Sequence, residues 1–229
     1  TRIGTPQTVI IATSTKLRFF KMLKIYDYKG FPNPTRVRIA LAEKGLSDRV
    51  EFISIDVPGG EHRLPTFAKK NPYATVPVLE LEDGTCISEC TAITEYVDNL
   101  VGEPVLTGKS AKDRAVIHMM QRRAETGLLD AAATYFHHAT PGLGPKIEVY
   151  QNREWGEKNR ERAVAGMRYL DQVLARQPFL AGDRFTMADI TGFAGLIYAA
   201  ISKIEIPTEL SNLKSWHERV ASRPSIAHA

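Results

Sequence analysis

Apolar and polar positions change period repeatedly along the chain. Leu23-Lys24-Ile25-Tyr26 reads as a short strand. Asn33-Pro34 then opens a helix: Asn suits the N-cap, and Pro suits a first turn in which its missing N–H costs nothing. Val37, Ile39, Ala40 and Leu41 supply the apolar face, and Gly45 stops the helix. Val50 to Ile55 predicts a second strand, Gly59-Gly60 a turn, and Pro65 to Lys69 a short helix. Val76-Pro77-Val78-Leu79-Glu80-Leu81 predicts a third strand. Pro77 lies at its start, because Pro cannot donate to a ladder. Asp83-Gly84 is a hairpin signal, Cys86-Ile87-Ser88 the returning strand, and Cys90 to Leu100 the next helix. The order is β-α-β-α-β-β-α.

Gly102 to Ser110, rich in Gly, Pro, Thr and Ser, reads as a linker. Helical texture follows. Ser110 to Asp113 resembles a capping box with Asp in place of Glu, and Thr140 to Pro145 breaks the helical stretch. Ala163, Val164, Met167, Leu170 and Leu174 fall on one face of a helix over 154–175. Thr186-Met187-Ala188-Asp189 is a second capping box, with Phe185 placed to staple onto Ile190. The run from Ile190 to Ile201 is apolar enough for a buried helix. Leu213, Trp216 and Val220 mark a last amphipathic helix. Four parts result: 1–21, an α/β part over 22–102, a linker over 103–110, and a helical part over 111–229.

Composition narrows the function. Hydrophobic residues make up 43% and charged residues 24% of 229, which supports a packed core. No apolar run is long enough for a membrane span. Cys86 and Cys90 cannot build a disulfide framework and have no metal-ligand company, so a cytoplasmic, reducing compartment is expected and no metal. Arg2, Lys16, Arg18 and Lys21 account for the whole net charge of +4, and residues 22–229 balance. The basic character therefore belongs to the first residues, and no nucleic-acid footprint is expected on the fold. Residues 1–21 are basic, acid-free and Thr/Ser-containing, as mitochondrial presequences are. The plainer expectation is an extension upstream of Met22, where an ordinary start would sit.

Several strings in this frame resemble the glutathione S-transferase superfamily. Val76-Pro77 stands where that superfamily carries a cis-proline. Glu89-Cys90-Thr91-Ala92-Ile93 follows its signature after the fourth strand. Phe179 to Ile190 (FLAGDRFTMADI) is similar to its capping-box segment, and Trp216 with Arg223-Pro224-Ser225 to its usual ending. Arg36 to Lys44 (RVRIALAEK), Gly60-Glu61-His62, Ile87 to Tyr96 and Tyr135 to Pro145 (YFHHATPGLGP) look like a yeast-type subclass. The resemblance implies a thioredoxin-like glutathione-binding N-terminal domain (β-α-β-α-β-β-α) and an all-α C-terminal domain. It implies a two-fold homodimer in the cytoplasm, with mitochondria as the alternative if residues 1–21 direct the chain there. Neither cofactor nor membrane is implied; glutathione is a co-substrate, conjugated to small electrophilic, apolar compounds. The alternatives are a non-catalytic glutathione-binding scaffold and a glutathione-dependent reductase or isomerase. A thiol-disulfide version needs a Cys at the first helix, and positions 31–35 hold none.

The resemblance also assigns residues. Val76 with Pro77 would present backbone to the cysteinyl unit. The helix start at Glu89-Cys90 would take the γ-glutamyl carboxylate, as helix N-termini favour anions, and the Glu89 carboxylate its ammonium. His62, on a turn expected to be exposed, would lie near the glycyl carboxylate. Phe31 and Tyr135 would line the electrophile pocket. The superfamily's usual Tyr, Ser or Cys donor is missing, since Phe31 and Pro32 occupy its place. Lowering a thiol pKa from ~8.5 to ~6.5 takes about 2.7 kcal/mol. A helix dipole supplies ~0.3–1 kcal/mol, up to ~2 when partly buried, and a charge-assisted hydrogen bond ~1.5–3 kcal/mol. Asn33, Thr35, or a water held by His137 are the candidate catalytic donors. Arg122, Arg123 and Glu125 are expected on a solvated or subunit-facing helix surface. Asp189 is expected to be structural.

Overall fold

A computed structural model describes residues 23–227. Residues 1–21, and every expectation placed on them, lie outside the described residues. Strands β1 (Leu23–Asp27), β2 (Val50–Ser54), β3 (Val78–Glu80) and β4 (Cys86–Ile87) form a mixed sheet in the order β2-β1-β3-β4. β1 runs parallel to β2, with Ile25 opposite Phe52, and antiparallel to β3, with Ile25 opposite Leu79. β1 lies centrally and is mostly buried, which its Leu-x-Ile-Tyr pattern provides.

Helices α1 (Pro32–Glu43), α2 (Pro65–Ala68) and α3 (Cys90–Leu100) complete this half. The helical half holds α4 (Ala111–Ala124), α5 (Asp130–Ala139), α6 (Arg153–Leu174), α7 (Met187–Ile201), α8 (Ser211–Ala221) and α9 (Pro224–Ala227). The expected thioredoxin-like α/β half and all-α half are both present. One apolar core runs through both, from Ile25, Leu41 and Ile93 to Leu128, Met167 and Trp216. α1 carries the join, packing against α3 on one side and α7 on the other. No helix among the described residues is long and apolar enough to cross a membrane.

Two local readings need correction, and a third feature carries no sequence signal. α1 starts two residues early: Phe31 is its N-cap, with no side-chain cap, and Pro32 takes the first helical position. Pro32 has the locked φ that position favours, which frees the Asn33 side chain from capping. β3 starts at Val78, so Val76 and Pro77 precede the ladder. A π-helical turn over Glu125–Leu129 joins α4 to α5, and hydrophobic periodicity gave no warning of it. Gly127 lies in that turn. A Cβ built on Gly166 of α6 would stand 2.2 Å from the Gly127 carbonyl, so this crossing requires Gly at 166.

Two buried acids anchor the connections. Asp98 accepts from Leu106 N–H (2.9 Å) and Thr107 N–H (2.7 Å), and pairs with Lys44 Nζ (3.0 Å). That holds the segment between α3 and α4 against the α/β half. Asp189 closes the capping box at the start of α7, accepting from Thr186 N–H at 2.9 Å. It also accepts from Leu180 N–H (2.8 Å) and Trp216 Nε1–H (3.0 Å), which ties α8 to the same carboxylate.

Candidate active site

A cleft of about 360 Å³ lies where α1, the Val76-Pro77 link, α3 and the π turn converge. Its lining includes Asn33, Val76, Pro77, Glu89, Cys90 and Arg122. The Val76–Pro77 peptide is cis. Glu89 is the N-cap of α3 and has φ +69°, ψ 118°. Positive φ is uncommon for a residue with a Cβ, and such conformations cluster at ligand clamps and active sites. The first N–H groups of α3 have no intrahelical partner, and Cys90 stands at their head on the cleft wall.

The start of α1 is unusually poor in donors. Its first helical positions are Pro32, Asn33 and Pro34, and both prolines lack an N–H. Thr35 N–H already donates to the Phe31 carbonyl at 3.0 Å. Asn33 therefore supplies the first-turn backbone N–H and also carries a side-chain amide. The Cys90 thiol donates to the Asn33 carbonyl at 3.4 Å, binding the two helix starts together. Burial pushes that thiol up to about 11, against the opposing pull of the Arg36 charge. Cys90 is thus a neutral donor at neutral pH and not a nucleophile.

Arg36, which sequence reasoning passed over, is buried beneath this junction at 4% exposure. It pairs with Glu125 Oε1 at 2.9 Å and donates to Thr191 Oγ1 of α7 at 3.1 Å. It also donates to Asn33 Oδ1 at 3.1 Å. Burial raises the Glu125 pKa, but Arg36, Gln121 and Arg122 outweigh it and hold the carboxyl below its usual range. The expectation of a solvated or subunit-facing surface is corrected only at Glu125, which is mostly covered and paired with Arg36; Arg122 lines the cleft and is exposed to solvent. The π turn starts at Glu125 and shifts the helical register there.

The other candidates lie off this lining. Thr35 is buried within α1. His62, expected on an exposed turn, is 7% exposed; its Nδ1 has no partner, and burial, then Arg63, lower its pKa. His137 has both ring nitrogens engaged, Nδ1 with Glu148 Oε1 (2.8 Å) and Nε2 with the Tyr198 hydroxyl (3.2 Å). Burial, then the Glu148 charge, raise the Tyr198 pKa well above its ordinary value. Phe31 meets Tyr28 at 5.1 Å, Phe136 at 6.4 Å and Tyr198 at 6.5 Å between ring centroids. Tyr135 lies instead under the Arg160 guanidinium of α6. Adjacent helical residues face about 100° apart, and of this pair it is Phe136 that packs on Phe31. Among the described residues no cluster of His, Cys, Asp and Glu could hold a metal ion.

The model of the glutathione S-transferase N-terminal domain matches residues 32–100, and that of the C-terminal domain matches 130–224. The chain belongs to the glutathione S-transferase family. It is 56% identical over 202 residues to glutathione S-transferase 2 of Saccharomyces cerevisiae, covering 88% of this chain and 87% of that one. The crystal structure of Gtt2 from Saccharomyces cerevisiae superposes with a TM-score of 0.88, covering 89% of this chain and 98% of that chain at 56% identity. A glutathione S-transferase domain-containing protein from Marinobacter aquaeolei superposes with a TM-score of 0.87 at 60% identity, covering 89% of this chain and 99% of that one. The yeast-type resemblance in the sequence is thereby shown.

Proposed function

We propose that this glutathione transferase binds glutathione along Val76 and Pro77 and ionises its thiol at the start of α1. The observation that carries the reading is one cleft lined together by Asn33, Val76, Glu89 and Cys90. The γ-glutamyl carboxylate meets the free N–H groups at the start of α3, and the Glu89 carboxylate takes the ammonium. The cysteinyl backbone pairs with Val76 N–H and C=O. His62 keeps the glycyl end that the family strings imply, although it lies off this lining.

For the sulfur, Asn33 is favoured over His137 and Thr35. It lines the cleft and brings both a backbone and a side-chain N–H, whereas both His137 nitrogens are engaged by Glu148 and Tyr198. The thiolate then attacks a small, electrophilic, apolar compound held near Phe31 and Phe136, by addition or aromatic substitution. The alternative of a thiol-disulfide reductase is disfavoured by the buried, protonated Cys90. Family membership supports a two-fold homodimer, and the free cysteines support a reducing, cytoplasmic setting.

Calorimetric titration with glutathione, followed by a spectrophotometric conjugation assay with a generic aromatic electrophile, tests the reading. Heat of binding with saturable conjugation is expected. Binding without turnover would make the chain a scaffold, and absence of heat would remove glutathione from the cleft.

A further inference from the structure

Arginine has donors only, with no acceptor. The Asn33 atom that faces Arg36 Nη1 at 3.1 Å is therefore the amide oxygen. A planar amide with its oxygen held has one remaining polar end, Nδ2, and Asn33 lines the cleft. Arg36 cannot easily turn away from this contact. Glu125 Oε1 (2.9 Å) and Thr191 Oγ1 (3.1 Å) hold its guanidinium from the helical half, and Thr91 Oγ1 lies at 3.5 Å on α3. Gln121 Nε2 fixes Thr91 in turn at 2.9 Å.

We propose that Arg36 is the positioning residue of the reaction: by holding Asn33 Oδ1, it sets the Asn33 amide so that Nδ2–H donates to the glutathione thiolate. This rests on the reading that glutathione occupies the cleft. Its consequence is that the thiolate donor is aligned by the helical half, through Glu125 and Thr191, although the donor itself lies on α1. Removing the fork frees the amide to rotate and to present oxygen, an acceptor, to an anion.

The test compares Arg36→Gln, Asn33→Ala and the double variant in the full chain. Glutathione binding is measured first by calorimetry, and the bound thiol is then titrated by thiolate absorbance. Each single variant should raise the bound-thiol pKa by about one unit, roughly a tenfold loss of thiolate below that pKa. The kcat at pH 6.5 should fall by about the same factor and recover at high pH, with little change in KM for glutathione. The double variant should add little to either single one, because both remove the same hydrogen bond. Arg36→Lys keeps the charge and loses the fork, so it supplies a folded variant if Arg36→Gln fails to fold; it too should raise the pKa. Glutathione binding with an unchanged pKa in Arg36→Lys, or additive shifts in the double variant, overturns the role of Arg36. No binding by the unmutated chain removes the underlying reading and the proposal with it.

Discussion

Arg36 and Asp189 are both charges buried near the start of a helix, with 4% and 0% of their surface exposed. Their surroundings differ in kind. Asp189 is ringed by donors: the Thr186 and Leu180 N–H groups, the Thr186 hydroxyl and the Trp216 indole N–H. None of these reaches the cleft, so the carboxylate serves folding alone. Arg36 faces partners on α1, α3, α7 and the π turn, and Asn33 and Glu125 among them line the cleft. A buried charge whose partners all look inward is a fastener. One whose partners open onto a cavity also transmits geometry to whatever sits there.

The sharpest way to break the comparison is Asp189→Ala. Loss of a cap alone costs about 0.5–2 kcal/mol. Here the substitution also leaves the buried Trp216 and Leu180 donors without a partner, at ~1–3 kcal/mol each. A total of about 2.5–8 kcal/mol is expected in urea unfolding, with kcat per folded molecule unchanged. A small loss, or a selective loss of activity, would make Asp189 more than a fastener.

The second test uses pH. Burial raises the Asp189 pKa to about 6, only partly offset by Leu180 N–H and its other donors. The folded state then holds its proton more tightly than the unfolded chain does. Its contribution to stability is greatest below the unfolded pKa near 3.8, falls as pH rises through 6, and is level above. The stability of the protein relative to Asp189→Asn should drop by about 2–3 kcal/mol from pH 4 to 7. An increase over that window would contradict the sign.

His137→Ala sharpens the contrast at lower amplitude. The buried Tyr198 hydroxyl loses its ring-nitrogen partner, so a stability loss of about 1–3 kcal/mol is expected, with no change in the bound-thiol pKa. A raised thiol pKa would return His137 to the sulfur. The smallest effect belongs to the cysteines. Iodoacetamide at pH 7.5 should modify the half-buried Cys86 before Cys90, whose thiol is buried and bonded to Asn33. Mass spectrometry after partial alkylation distinguishes them, and faster reaction at Cys90 would contradict its burial.

Much of the architecture is legible in the sequence. The strand and helix order follows from period-two and period-3.6 runs bounded by Gly, Pro and Asp-Gly signals. The capping box at Thr186 and Asp189 was readable because it is local, with both partners within one turn. Val76, Pro77, Glu89 and Cys90, proposed for glutathione, are grouped by the family strings, and in the structure they line one cleft. Errors arose where contacts are distant in sequence. Which of Tyr135 and Phe136 faces Phe31 is settled by distant neighbours, since Tyr135 meets Arg160 and Phe136 meets Phe31. His62 looked exposed beside Gly59-Gly60, yet residues around Lys146 and Ile147 reach across to that turn.

What the sequence determined by itself was the set of elements, their order and the absence of a usual thiol-activating residue at the start of α1, because these depend on neighbours along the chain. Only the tertiary structure decided that Arg36 and Glu125 meet across the two halves and that Asn33 is the group turned toward the cleft. Those facts depend on how α1 packs against α3, α7 and the π turn. Interactions spanning so many residues leave no periodic trace in the chain that encodes them.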